Sequence, residues 1–268
     1  MKRPDKKTII KIMKIALFVT AVFFIARYFY KNREAIAAVD VEIKPLPCAI
    51  SLILYMIYNI NLASLWHVIT VKTDARIAYP KALCAYLTSI LGKYIPGKVF
   101  MLAARFPAYD EQGVPLRKIS VDFVLENICT LLGAGFLFLV SLLFFPAGIG
   151  AGYIALVAVM MVAFFVCIHP KVLNFFLRLL QKLIKKDDLQ IPLNYIGMLK
   201  IVLMFIANWA LAGFSFYMMV NMITPIPPSH ALYVGGVFGL SVVVGIVSLF
   251  APSGIGVRET VMVLALTA

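Results

Sequence analysis

Leu91-Gly92-Lys93-Tyr94-Ile95-Pro96-Gly97-Lys98-Val99-Phe100 sets two glycines, a proline and two lysines inside a sequence otherwise apolar enough to sit in a bilayer. In hydrocarbon a proline leaves a carbonyl without its helical partner, and a central lysine costs roughly 2.5 to 3.5 kcal/mol on insertion scales. The same grammar returns at Phe250-Ala251-Pro252-Ser253-Gly254-Ile255-Gly256-Val257-Arg258-Glu259: apolar run, proline, glycine, basic residue, apolar run. Two broken segments in corresponding halves of a membrane protein point to a binding site.

Around these breaks, 63% of the 268 residues are hydrophobic and only 14% charged, against about a quarter charged in soluble domains. The apolar residues come in runs of about twenty, the length that crosses a ~30 Å core as helix; barrel strands would alternate over about ten. The chain is therefore expected to be an all-α polytopic membrane protein with about six spans plus re-entrant broken helices. The net charge of +13 lies mostly at the ends of apolar runs. That placement reads as topology and an anionic lipid surface, not as a nucleic-acid partner. Cys48, Cys84, Cys129 and Cys167 fall in separate apolar runs, which predicts buried free thiols. His67, His169 and His230 have no ligand spacing, so neither a metal nor another cofactor is expected.

Met1 to Lys14 is basic and runs into the apolar Ile15 to Tyr30. Arg27, Lys31 and Arg33 follow and no small-x-small cleavage site is present, so a retained first span is expected, with the N-terminus cytoplasmic. Asn32 to Pro47 is then an outer loop. The second span runs from Pro47 to about Thr70, with Asn59 and Asn61 as interhelical glue or substrate contacts, and returns to Lys72, Arg76 and Lys81. Ala82 to Ala104 holds the opening motif and precedes a basic loop with Arg105, Arg117 and Lys118. A full crossing would put that loop outside, against the charge bias. A re-entrant hairpin turning at Pro96-Gly97 keeps both flanking loops inside.

Ile119 to Phe145 is the third span. Its i, i+4 pair Asp122 and Glu126 shares one face near the favourable N-terminal end of the dipole. A Pro146 to Gly150 turn leads to the fourth span, Ala151 to Ile168. Residues 170–190, basic and amphipathic, form a cytoplasmic segment on the inner leaflet. Asn194 to Ile223, with Lys200 snorkelling near its start, and Ala231 to Leu249, glycine-rich for close packing, are the fifth and sixth spans. After Gly256 the tail rises only ~18 Å as helix. It is either cut short or the returning half of a second hairpin.

With these residues on the page, the sequence resembles the flippase-like transmembrane domain of lysylphosphatidylglycerol synthases, a family that includes stand-alone membrane proteins. The resemblance rests on Gly92-Lys93-Tyr94-Ile95-Pro96-Gly97-Lys98-Val99, on Glu126, and on Pro252-Ser-Gly254-Ile-Gly256-Val-Arg258-Glu259. It implies one flippase-like domain over residues 1–268 in two pseudo-symmetric halves, in the cytoplasmic membrane of a prokaryote. It further implies continuation beyond residue 268. Family members commonly carry arginine after the acid of the third span, where this chain has Asn127. The soluble aminoacyl-transferase domain of the full synthases has no counterpart here, so aminoacyl transfer is not inherited and no enzyme activity is expected.

Moving a phospholipid headgroup between leaflets requires compensation for a phosphate at mid-depth. Half-helix ends at Pro96-Gly97 and at Pro252, Gly254 and Gly256 would present N–H groups and a positive dipole end. Lys93, Lys98 and Arg258 would add charge, arginine in bidentate geometry. Glu126 and Glu259 would balance these cations or meet an ammonium on an aminoacylated headgroup. Tyr94 is a contact or an interfacial anchor. A plainer reading has Lys98 or Arg258 pairing with Glu126 or Glu259 merely to hold the broken segments together. The partners implied are an anionic, aminoacylated or polyprenyl-linked lipid, a separate synthase or glycosyltransferase, and further copies of the chain. The competing function is a non-transporting subunit that presents a lipid-linked precursor to an envelope or glycan-assembling enzyme.

Overall fold

A computed structural model describes residues 27, 30, 33, 42–90, 99–144, 151–175, 178, 191, 193–248, 254 and 256–267. Residues 1–43 form a unit of their own, in which the Arg33 guanidinium lies 4.6 Å over the Tyr30 ring. The expected first span, the Pro146 to Gly150 turn and most of 170–190 lie outside the described residues, as do Lys93, Tyr94, Pro96, Gly97, Lys98 and Pro252.

In the second unit all regular structure among the described residues is helical: α1 (Pro45–Lys72), α2 (Tyr79–Ser89), α3 (Val99–Asp110), α4 (Leu116–Leu142), α5 (Ala151–Cys167), α6 (Tyr195–Asn221), α7 (Ala231–Val247) and α8 (Val257–Leu266). α1, α4, α6 and α7 with its preceding turn are long and apolar enough to cross a membrane. Their ends follow local chemistry. Proline opens α1, where a missing N–H costs nothing, and Lys72 closes it at the negative end of the dipole. Asn194 caps α6 by accepting from the Gly197 N–H at 2.8 Å.

α1 and α6 run antiparallel in a register that repeats every seven residues. Lys44 N–H donates to Met222 O at 3.0 Å. Seven residues on, Ser51 and Ser215 exchange hydroxyl-to-carbonyl bonds, each 2.9 Å. After seven more, Asn208 Nδ2 donates to Tyr58 O at 3.3 Å; the next step brings Leu65 and Ile201 into one core cluster. A seven-residue repeat is the signature of the shallow ~20° crossing common in helical bundles. The interhelical polar contacts therefore come from Ser51, Ser215 and Asn208. Asn59, expected as glue or as a substrate contact, bonds to Tyr55 O of its own helix.

Glycines set the other close approaches. A Cβ on Gly213 of α6 would lie 2.9 Å from Gly235 Cα, and one on Gly239 would lie 2.9 Å from Ala134 O of α4. A Cβ on Gly236 would collide with Ser141. These contacts run α7 antiparallel to α4, and the same register carried two turns further sets Gly245 level with the Glu126 to Cys129 stretch. The glycine-rich reading of this segment is borne out. The cysteines need correction: all four are free, but only Cys129 is buried, whereas Cys84 and Cys167 face outward from apolar helices.

α2 and α3 form a pair of antiparallel arms. Lys81 at the start of α2 lies 3.9 Å from Glu111 just after α3, while Ser89 at the end of α2 meets Arg105 inside α3. Lys118 Nζ donates to Asp74 O at 3.1 Å, joining the loop after α1 to the start of α4. Both loops therefore lie at one end of the bundle. Arms of 11 and 12 residues rise only ~16–18 Å, well short of ~30 Å.

At the other end of the chain, α8 folds back along α7. Tyr233 Oη donates to Ala265 O at 2.7 Å, and Arg258 packs on Gly245. α8 therefore packs antiparallel to α7 over these residues.

Candidate functional site

The first turns of α4 bring Glu126 into the bundle, 6% exposed. Its partner comes from α3. Arg105, expected in an inner basic loop, lies within a helix and is 0% exposed. Its Nη1 donates to Glu126 Oε2 and its Nη2 to Oε1 at 3.4 Å, in the two-pronged arrangement that suits a carboxylate. Nε donates to Ser89 Oγ at 2.8 Å, and that hydroxyl passes its own proton to Tyr86 O at 2.6 Å. Tyr86 Oη completes the carboxylate with a bond of 2.8 Å to Oε1.

Aromatic rings wall the guanidinium. Its carbon lies 4.1 Å from the Tyr86 ring centroid, 4.4 Å from Trp66 and 5.5 Å from Phe123. Ring faces carry negative potential and so replace part of the lost hydration of a buried cation. Trp66 Nε1 donates to Tyr109 Oη at 2.7 Å, locking two further rings. Ala75, Ile77, Val114 and Ile119 close this cluster toward the loops after α1 and α3. The result is a charge pair with its hydrogen bonds made on all sides, inside helices that otherwise present hydrocarbon.

The second break supplies Gly254, Gly256, Arg258 and Glu259. Gly254 is buried with φ +73°, and a Cβ there would lie 2.7 Å from Gly245 Cα, so conformation and space both require glycine. Gly256, φ +87°, caps α8, and its N–H donates to Glu259 Oε2 at 2.7 Å. Glu259 thus has a local structural use at the positive end of its own helix. Arg258 lays its Nε and Cγ against Gly245, 2.7 and 2.8 Å from where a Cβ would stand.

Tyr58 of α1 sets its ring 5.8 Å edge-on to Trp209 and 6.1 Å from Tyr55. Glu126, Gly254, Gly256, Arg258 and Glu259 are placed among the described residues. The residues that sequence reasoning missed are Arg105, Ser89 and the rings of Trp66, Tyr86 and Tyr109. A signal for Arg105 exists: it is the lone charge between Phe100 and Tyr109, an apolar stretch in which a basic side chain needs a buried partner.

The sequence profile described as lysylphosphatidylglycerol synthase TM region matches residues 11–268. No curated protein and no solved structure matches the chain.

Proposed function

Because the chain belongs to the family of the lysylphosphatidylglycerol synthase TM region, a membrane region linked to lipid handling and separate from the transferase, we propose that it carries a phospholipid headgroup between leaflets. The observation that carries this reading is the buried Arg105–Glu126 pair, set where a short arm meets the bundle. Ionised groups at such depth are costly and tend to mark a substrate path. In this reading the α2–α3 arms re-enter from the inner side, where Lys72, Arg76, Lys81, Arg117 and Lys118 gather. The α7–α8 pair enters from the opposite side, and the two breaks form pseudo-symmetric walls. Lys93, Lys98 and Arg258 then receive the phosphate, with Tyr94 beside them, Pro96, Gly97, Pro252, Gly254 and Gly256 shaping the helix ends, and Glu126 and Glu259 balancing charge. The N-terminus is cytoplasmic and the membrane is the inner membrane of a prokaryote.

The test is headgroup accessibility in vesicles reconstituted with the purified protein and labelled anionic or aminoacylated phospholipid. Exchange between leaflets is expected, with a loss of at least tenfold in Lys98→Ala and Arg258→Ala. Undiminished exchange in both variants overturns the site. No exchange by a folded wild-type protein overturns the function.

A further inference from the structure

One buried acid is left without a role by the Arg105–Glu126 pair. Asp122 lies one turn before Glu126 on the same face of α4, is 0% exposed, and has no hydrogen-bond partner on either carboxylate oxygen. Thr73 Oγ1 comes near, and its hydroxyl is also within hydrogen-bond distance of Ile69 O and Thr70 O, at 3.1 and 3.2 Å. The Thr70 hydroxyl likewise donates to His67 O at 3.0 Å. Both threonines lie at the C-terminal end of α1, the negative pole of the helix, where Ile69 O and Thr70 O also accept the N–H groups of Thr73 and Ala75.

Among the charged and titratable neighbours, Lys118 attracts the carboxylate without bonding to it. Lys118, one turn earlier on α4, points its ammonium at Asp74 O, 3.1 Å away. Tyr109, facing from α3, accepts the Trp66 N–H. Glu126, one turn later, is held by Arg105. A buried carboxylate with no hydrogen bond on either oxygen, beside the negative end of a helix, calls for a proton or a small cation.

We propose that Asp122, with the Thr73 hydroxyl oxygen and the C-terminal end of α1, is a binding site for a small monovalent cation, a proton or a sodium ion. Beside a lipid path this site would couple an ion gradient to rearrangement of the neighbouring Arg105–Glu126 pair. Only that consequence rests on the transport reading; occupancy of the site does not.

The experiment reads occupancy in the resting protein, so it separates from any failure of lipid exchange. Infrared spectra at neutral pH are recorded for wild type, Asp122→Asn and Thr73→Val. Melting temperatures of the same proteins are compared in sodium chloride and choline chloride. A proton gives a carboxylic-acid carbonyl band in wild type that is lost in Asp122→Asn and displaced in Thr73→Val. Sodium gives no such band, and instead a melting temperature raised by sodium over choline, with that shift lost in both variants. If Asp122→Asn does not fold, Thr73→Val decides by the same two readouts. Wild-type protein with neither the acid band nor a sodium-dependent shift overturns the proposal.

Discussion

Removing one partner of the Arg105–Glu126 pair should cost far more than removing both. Breaking a buried ion pair typically costs about 3–5 kcal/mol, because the surviving charge stays buried without compensation, whereas replacing both members by apolar groups of similar volume is close to neutral. The surroundings make the two single changes unequal. Glu126→Gln strands a guanidinium that keeps Ser89 and the faces of Tyr86 and Trp66, at 4.1 and 4.4 Å; the rings return roughly 0.5–2 kcal/mol. Arg105→Met strands a carboxylate whose remaining bond is from Tyr86 Oη at 2.8 Å, against ring faces that repel an anion. Arg105→Met should therefore be the more destabilising, toward the upper end of about 3–5 kcal/mol. The double variant with apolar groups of similar volume at both positions should be close to neutral, recovering most of a summed loss of about 6–10 kcal/mol. Cys129, 0% exposed and one turn beyond Glu126, is a built-in reporter once Cys48, Cys84 and Cys167 are serine. Its maleimide labelling across a denaturing-detergent titration reads the opening equilibrium, at a tenfold change per about 1.4 kcal/mol. Additivity within about 0.5 kcal/mol, or a larger penalty for Glu126→Gln than for Arg105→Met, would refute this account of the pair.

Other contacts give independent tests. Gly213→Leu and Gly235→Leu should each destabilise the protein by about 1–3 kcal/mol, because a Cβ at either site lies 2.9 Å from the facing glycine Cα; thermal unfolding in mild detergent measures it, and unchanged melting would refute the close approach. Glu259→Gln should cost about 0.5–2 kcal/mol through a weakened cap on Gly256 N–H, seen as faster amide exchange confined to the first turn of α8.

The helices were legible because they rest on short-range chemistry. Proline at Pro45 and Pro47, lysine at Lys72 and asparagine at Asn194 mark element ends, and Pro96-Gly97 and Pro252 to Gly256 interrupt apolar runs. The re-entrant reading also drew on a local count of lysines and arginines, and the one-ended placement of the two flanking loops agrees with it. That same count placed Arg105 in a loop, since it treats every basic residue as a surface residue. What hides Arg105 is assembled from Trp66, Tyr86, Ser89, Tyr109 and Glu126, which lie on four helices. No spacing rule within a single segment joins them. The i, i+4 relation of Asp122 and Glu126 was readable, but their opposite fates, one bonded to arginine and one buried without a hydrogen bond, depend on neighbouring helices.

The packing also constrains how a phosphate could be received. Arg105 has one flat fork, and Glu126 occupies it. If a headgroup binds between the two arms as proposed, it cannot use that fork while the carboxylate holds it; a phosphodiester and Glu126 are rivals for the same donors. Displaced, Glu126 would keep only the Tyr86 hydroxyl, a state too costly to persist at this depth unless another cation approached. In the proposed site that cation is Arg258, from the other arm. Headgroup entry would then proceed as an exchange of ion partners between the α2–α3 and α7–α8 arms, not as simple capture by a waiting positive charge. On that logic the paired Arg105–Glu126 arrangement is the closed state of the path, and variants that loosen the pair without stranding a charge, such as the double substitution, should raise leaflet exchange before they lower it.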